Sequence, residues 1–267
     1  MIVCKSPSEI EKMRAASLLV SDVLAELATM VQPGISTLDL DLAAERMVRD
    51  GGAEPAFKGY RGYPSTLCAS VNDQVIHGIP SKRALNEGDI ISLDMGVRMN
   101  GYFGDSAITV PVGRVSDEAL RLLRVTQESL EKGIEQVRLG GRISDIGHAI
   151  QQHVEAHGFS VVREFVGHGI GASLHEEPQI ANYGDPGRGP RLAEGMTLAI
   201  EPMVNVGKPG VKMLADGWTA ITRDGSLSAH FEHTVAVTKN GPLVLTRAAA
   251  GTGNRSRFHA RDRAGND

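Results

Sequence analysis

Ile90-Ile91-Ser92-Leu93-Asp94-Met95-Gly96-Val97-Arg98-Met99-Asn100-Gly101-Tyr102-Phe103-Gly104-Asp105-Ser106-Ala107-Ile108-Thr109-Val110 reads as two apolar strands joined by Asn100-Gly101. An Asn-Gly pair between such runs is a strong signal for a two-residue type I′ hairpin, in which both central residues take positive φ. With that loop, Met99 pairs with Tyr102, and counting back sets Asp94 opposite Ala107. Asp105 stands two residues from Ala107 and therefore points to the same face as Asp94. The two carboxylates become diagonal neighbours roughly 7–8 Å apart at Cβ, near enough to converge on shared ions. A bulge at Gly104 would spoil this register. Burying an unpaired ionised carboxylate is costly, and no Arg or Lys adjoins either acid in the sequence. A multivalent cation would supply the missing charge.

The surroundings of this hairpin occur twice. Ile10, Met13, Ala16, Val20, Leu24, Leu27 and Val31 recur at helical period and predict a helix over 8–31, stopped by Pro33-Gly34. A second helix is expected from Thr37, with Leu40, Ala43, Ala44 and Met47 on one face and Gly51-Gly52 closing it. Later, Leu120, Leu123, Leu130, Ile134 and Val137 predict a helix ending at Gly140-Gly141. Ser144, followed by Asp145, then reads as the cap of a shorter helix that stops at Gly158.

The strands echo one another as well. Glu87-Gly88-Asp89-Ile90-Ile91-Ser92-Leu93-Asp94 matches Glu194-Gly195-Met196-Thr197-Leu198-Ala199-Ile200-Glu201. Asp105-Ser106-Ala107-Ile108-Thr109-Val110 resembles Glu232-His233-Thr234-Val235-Ala236-Val237, and His77-Gly78-Ile79 is echoed by His168-Gly169-Ile170. The order of these matches divides the chain into halves of about 6–115 and 116–245, each a helix pair plus strands bearing two carboxylates, within one catalytic unit over 1–247.

Asp94, Asp105, Glu201 and Glu232, with His168 in its glycine-rich turn, make a donor set suited to borderline-hard divalent cations and larger than one ion needs. Two ions bridged by carboxylates would activate a water and stabilise the oxyanion it creates. The composition, 41% hydrophobic and 22% charged, is that of an ordinary soluble globular chain, and a net charge of -4 gives no reason to expect nucleic acid. Two cysteines, Cys4 and Cys68, and a start without a signal-peptide core point to the reducing cytoplasm. No apolar run approaches the roughly 20 residues that span a bilayer. Residues 248–267 mix Gly, Asn, Ser and Arg, so a disordered tail is expected; its arginines offer an electrostatic contact to ribosomal RNA, though a merely solvated tail is the stronger expectation.

These residues resemble the methionine aminopeptidase family. The likeness runs from about Ser6 to Thr246 and rests on Ser92-Leu93-Asp94-Met95-Gly96, Gly104-Asp105, Gly167-His168-Gly169-Ile170-Gly171, Ile200-Glu201-Pro202-Met203 and Phe231-Glu232-His233-Thr234. It implies an α+β pita-bread fold, two pseudo-symmetric halves of helix pairs packed on a mostly antiparallel curved sheet. It also implies removal of N-terminal methionine from nascent polypeptides when the second residue is small, by a hydroxide bridging two divalent ions (Co, Mn, Fe, Zn or Ni). Asp94 would bind the second ion alone, Asp105 and Glu232 would bridge, and His168 and Glu201 would complete the first. Glu201 would shuttle the proton. His175 would hydrogen-bond the scissile carbonyl and His77 would engage the peptide near its scissile amide. Tyr60, Tyr63, Cys68 and Trp218 match the positions lining the methionine pocket, and Asn72 and Ser228 resemble ligands of a structural monovalent cation. The free N-terminal Met, the short type 1 form, a monomeric state and contact with the ribosome surface follow as further expectations, with no membrane and no nucleotide. Two positions depart from the family: an Arg is expected near Ala172 and often a Phe at Leu174.

Other readings meet specific obstacles. Xaa-Pro peptidases share the fold and the five ligands but normally carry a separate N-terminal domain, whereas here the matching helices begin by Ser8. A non-catalytic relative that only binds other proteins would normally have lost ligands. Gly167-His168-Gly169-Ile170-Gly171-Ala172 imitates a dinucleotide fingerprint, but Leu174-His175-Glu176-Glu177-Pro178 follows where a helix should begin. His153 and His157 lie four apart on a helix, yet Glu155 is one place away from the zincin position, so a solvated helix face is expected there.

Overall fold

The computed structural model describes residues 1–247; the tail expected over 248–267 lies outside the described residues. Its helices are α1 (Pro7–Met30), α2 (Thr37–Asp50), α3 (Asp117–Ile134) and α4 (Ile143–Ala156). The starts of α1 and α2 follow from reciprocal capping. Ser6 accepts from the Glu9 N–H while the Glu9 carboxylate accepts from the Ser6 N–H at 2.7 Å, and Ser36 and Asp39 repeat the arrangement. None of the described helices is long and apolar enough to cross a membrane.

The first half supplies β1 (Glu54–Pro55), β2 (Cys68–Val71), β3 (Gln74–Ile76), β4 (Ile90–Met99) and β5 (Tyr102–Pro111). The second half supplies β6 (Ser160–Val161), β7 (Gly167–Gly169), β8 (Glu176–Ile180), β9 (Thr197–Ile200) and β10 (Met203–Asn205). It continues with β11 (Val211–Met213), β12 (Ala220–Thr222), β13 (Ser228–His230), β14 (Glu232–Thr238) and β15 (Gly241–Val244). The main sheet runs β1-β4-β5-β14-β9-β7-β8, with β2 also on β4 and β15 also on β14; every pairing is antiparallel. This is the pita-bread architecture, a curled antiparallel sheet backed by helices.

The hairpin has the expected register. Asn100 and Gly101 take φ of 53° and 82°, Met99 pairs with Tyr102, Asp94 faces Ala107, and Val97 faces Gly104 without a bulge. Gly104 is needed for packing: a Cβ there would come within 2.6 Å of the Ser17 backbone nitrogen, so its absence lets α1 lie directly on β5 beside Asp105.

The halves meet at the β5–β14 seam. Glu232 pairs with Ala107, and the Asp105 N–H donates to Thr234 Oγ1, so each acid stands opposite the residue two beyond the other, as a two-fold relation requires. Each half has its own apolar core. In the first, α1 and α2 cover Leu67, Ile91, Leu93, Met95 and Val97; in the second, α3 and α4 cover Ile180, Leu198, Ile200 and Val235. Burial of side chains this size at roughly 1.5–3 kcal/mol each holds both helix layers on the sheet.

Several local expectations change. The third helix ends at Ile134, and Val137 is buried in the turn beyond it. The cap of α4 is Arg142, because the Asp145 carboxylate turns back to accept the Arg142 N–H at 2.7 Å; Ser144 lies inside the first turn and accepts from the Arg188 N–H. The His77 and His168 triplets are not structural equivalents. His168 pairs with Ala199, the counterpart of Ser92, and Ser92 pairs with Ser70. Ser70 therefore occupies the His168 position in the first half, and His77 lies beyond β3 with φ 59°.

Candidate metal centre

Every residue singled out in the sequence as divalent-metal ligand, catalytic group or methionine-pocket wall lines one cavity of about 150 Å³. Asp94 and Asp105 come from the hairpin, His168 from β7, Glu201 from the end of β9, and Glu232 from the start of β14. Ligand atoms of Asp105, His168 and Glu232 all lie within 4.8 Å of one another. His168 Nε2 is 3.6 Å from Glu201 Oε1 and 4.0 Å from Asp105 Oδ2, while its Nδ1 donates to the Gly169 carbonyl at 2.8 Å. That bond leaves Nε2 with its lone pair aimed at the acids, the usual orientation of a metal-ligating imidazole.

The seam that holds these strands is laced by hydroxyls. Ser106 Oγ donates to the Glu232 carbonyl at 2.6 Å, Thr234 Oγ1 to the Asp105 carbonyl at 2.7 Å, and Thr109 Oγ1 to the His230 carbonyl at 2.7 Å. Each bond grips the main chain at or beside a candidate ligand, so the spacing of the donors is set by the backbone.

The electrostatics are those of a site built for cations. Asp94 Oδ1, Asp105 Oδ1 and Glu232 Oε1 are buried without a hydrogen-bond partner. No lysine or arginine lies within ion-pair distance of any of the four acids among the described residues. Burial and mutual repulsion push Asp94, Glu201 and Glu232 well above the ordinary carboxylate range, and burial raises Asp105 to about 7. Burial lowers His168 to about 4, keeping it neutral and available as a ligand. Buried acids left unpaired are expensive; divalent ions would satisfy the orphaned oxygens and remove the repulsion, so the residues present fit them.

A second His/Glu group contrasts with this one. His153 Nε2 lies 3.1 Å from Glu128 Oε2, and His157 Nδ1 donates to the His153 carbonyl at 2.7 Å. Its ligand atoms also cluster, but on a half-exposed helix face where hydrogen bonds already engage the groups.

Around the acids stand the pocket walls. Cys68 pairs directly with Asp94 across β2 and β4 and is buried, its thiol pushed up by that burial and by the Asp94 charge. Tyr63 stacks edge-on against Trp218 at 5.1 Å, and Trp218 meets His77 edge-on at 6.2 Å. His175 reaches the mouth, with Nδ1 2.9 Å from the Tyr60 hydroxyl and its ring 4.1 Å from that of His168. Desolvation lowers both His77 and His175 to about 4, helped by their mutual repulsion for His77 and by His168 and Arg61 for His175. Leu174 is buried in the wall. Asn72 and Ser228 are neighbours in a satisfied turn: Asn72 Nδ2 donates to Asp89, its Oδ1 accepts from Ile90 N–H, and its carbonyl accepts from Ser228 N–H.

The sequence reading missed Phe57 and Arg61 in the lining and His230 behind it. His230 is fully enclosed, with Nε2 3.7 Å from Glu201 Oε2, neither ring nitrogen hydrogen-bonded and its pKa lowered to about 3 by burial. Its position just before Phe231-Glu232 was the available signal. The dinucleotide alternative fails on geometry, because β8 rather than a helix follows the glycine-rich turn.

Comparison with known proteins agrees with this geometry. The model of metallopeptidase family M24 matches residues 11–239. The chain is 55% identical to methionine aminopeptidase 1 of Bacillus subtilis, covering 92% of this chain and 100% of that protein. It is 54% identical to the methionine aminopeptidase of Clostridium perfringens, covering 92% and 99%. The crystal structure of the Thermotoga maritima methionine aminopeptidase superposes with a TM-score of 0.92 at 48% identity, covering 93% and 100%. The prolidase of Pyrococcus furiosus shares the fold at 22% identity and a TM-score of 0.75, with 92% of this chain covering 66% of that one. In sequence, in fold and in the donors gathered at the seam, this chain belongs to metallopeptidase family M24.

Proposed function

We propose that this protein is a methionine aminopeptidase that releases the first methionine from polypeptides with a free N-terminus and a small second residue. The observation that carries the reading is the cluster of three buried acids with orphaned oxygens, the nearly buried Glu201 and one neutral imidazole, all lining one aromatic-walled cavity. The relatives named above, matched over nearly their whole length, support the same activity. Asp94, Asp105, His168, Glu201 and Glu232 would hold two divalent ions. When bound, such ions supply a water of lowered pKa and positive charge for a developing oxyanion.

The remaining work falls to the chain's own groups. With the Tyr60 hydroxyl donating to His175 Nδ1, the imidazole carries its proton on Nε2 and offers it to the scissile carbonyl as that oxygen gains charge. A pKa near 4 keeps the ring neutral, so it donates a hydrogen bond without releasing a proton. His77, also held neutral by burial and lining the same cavity, would engage the peptide near its scissile amide. Glu201, whose affinity for a proton is raised by burial and by its acidic neighbours, would take the proton from water and pass it to the leaving amine. Tyr63, Cys68 and Trp218 provide an apolar, polarisable socket for a thioether side chain. Tyr60 and His175, stacked at 5.3 Å in the cavity lining, would favour a small second residue.

The test is release of Met from a Met-Ala-Ser peptide by metal-stripped protein resupplied with Mn, Fe or Co. Turnover of Xaa-Pro peptides with Met-Ala-Ser left intact would replace this reading with that of an Xaa-Pro peptidase.

A further inference from the structure

Lys5 is a charged residue where a charge needs a reason. Its side chain is 3% exposed, and its ammonium donates to Glu176 Oε2 at 2.5 Å and to the Val3 carbonyl at 2.9 Å. The other Glu176 oxygen accepts the Ser173 N–H at 3.1 Å, while Gly171 N–H donates to the Ser173 carbonyl. Glu176 therefore closes the 171–176 turn from inside, and Lys5 holds Glu176. His175 immediately precedes Glu176 in the chain, and its imidazole is the polar group that turn presents to the cavity, beside Leu174.

Two further observations show that the clasp is built in. The Lys5 N–H donates to the Gly195 carbonyl at 2.7 Å, which anchors the N-terminal segment just before β9. A Cβ at Gly171 would come within 2.3 Å of Lys5 Cε and 2.6 Å of Glu176 Oε1, so the ion pair runs through space that only glycine leaves free. A buried ammonium survives when paired and hydrogen-bonded, and its partner is then fixed more firmly than a surface salt bridge would fix it.

We propose that Lys5 is a positioning residue for the reaction, holding the His175 imidazole at the scissile carbonyl through its buried pair with Glu176. This rests on the reading of His175 as the carbonyl donor. A catalytic group displaced by about 1 Å loses roughly a hundredfold in rate, so slackening the turn should act on kcat more than on KM.

The test is a double-mutant cycle on the metal-loaded enzyme with Met-Ala-Ser peptide, using Lys5→Met in wild-type and His175→Ala backgrounds. Lys5→Met alone should lower kcat by roughly ten- to a hundredfold, with bound metal unchanged and Lys5→Arg recovering part of the loss. In the His175→Ala background the same change should cost no more than about twofold, because residues acting as a unit are non-additive. Equal losses in both backgrounds, or an unchanged kcat in folded Lys5→Met, would overturn the inference. Full activity of His175→Ala by itself would instead remove the role assigned to His175. Glu176→Gln, nearly isosteric, takes the place of Lys5→Met in the cycle if the latter does not fold.

Discussion

In the first half of the molecule, Asp94 and Asp105 belong to one hairpin closed by Asn100 and Gly101; in the second, Glu201 and Glu232 sit on strands separated by the whole of β10 to β13. The ladders differ too. The β4–β5 register sets Asp94 opposite Ala107, so its two acids are diagonal. The β9–β14 ladder ends with Ile200 against His233, so its next rung brings Glu201 and Glu232 side by side. A local turn sets the first spacing, and a long-range seam sets the second. The cluster is thus two-fold related at its centre, Asp105 and Glu232, and unequal at its flanks. The flanks differ in company as well: Asp94 faces the Cys68 thiol, whereas Glu201 has His168 and His230 within 3.7 Å.

The largest effect should come from the symmetric centre. Asp105→Ala and Glu232→Ala should each abolish Met release, by more than the roughly hundredfold that loss of an outer-shell partner costs, with the fold retained by circular dichroism. A Glu232→Ala enzyme that keeps near-normal turnover while Asp105→Ala is dead would break the proposed equivalence. Metal analysis of the same variants should show reduced occupancy in both.

The flanks should separate next. Because Glu201 is assigned the proton shuttle and Asp94 is not, Glu201→Gln should lower kcat even at saturating metal. Asp94→Asn should be partly rescued by raising the metal concentration. Kinetics across a Mn titration distinguish the two, and identical behaviour would remove the division of roles.

The acids also set a pH signature in metal-free protein. Folded-state values raised above those of the unfolded chain mean that the folded state binds more protons, so stability falls as pH rises through the window. For Asp105 that window runs from 3.8 to about 7. Below about 6.5 the lowered histidines oppose it, since stability from a depressed imidazole rises with pH. Thermal melts of chelator-treated protein should therefore decline from pH 6.5 to 8, and Asp105→Asn should flatten the decline. A melting temperature that rises over this range would contradict the buried, unpaired state of the cluster.

The smallest effect tests the turn that only the first half possesses. Gly101→Ala forces an L-residue to φ 82° and should cost about 1–2 kcal/mol in urea unfolding. Met release at low temperature should be retained. No comparable substitution exists between β9 and β14, which no tight turn joins and whose alignment rests on the backbone ladder from the Thr197 and Ala236 pair to the Ile200 and His233 pair.

Much of the molecule was legible because it depends on neighbours in the chain. The hairpin register and the starts of the first two helices follow from contacts a few residues apart, where backbone sterics and short-range hydrogen bonds decide. The repeat was legible in the strand motifs, and it misled at His77, where a likeness of three residues did not survive the actual pairing of Ser70 with Ser92. The start of α4 was misplaced because Ser144 and Asp145 are both good capping residues, and only the Asp145 contact back to the Arg142 N–H distinguishes them.

The sequence by itself determined which side chains could bind cations, and that Asp94 and Asp105 share a face. Only the tertiary structure decided how the second pair joins them, that His230 stands behind Glu201, and that Lys5 reaches across the chain to Glu176. The physical reason is that these contacts close loops of a hundred residues or more in several cases, and their geometry is settled by packing of the two cores against one seam, which no local pattern encodes.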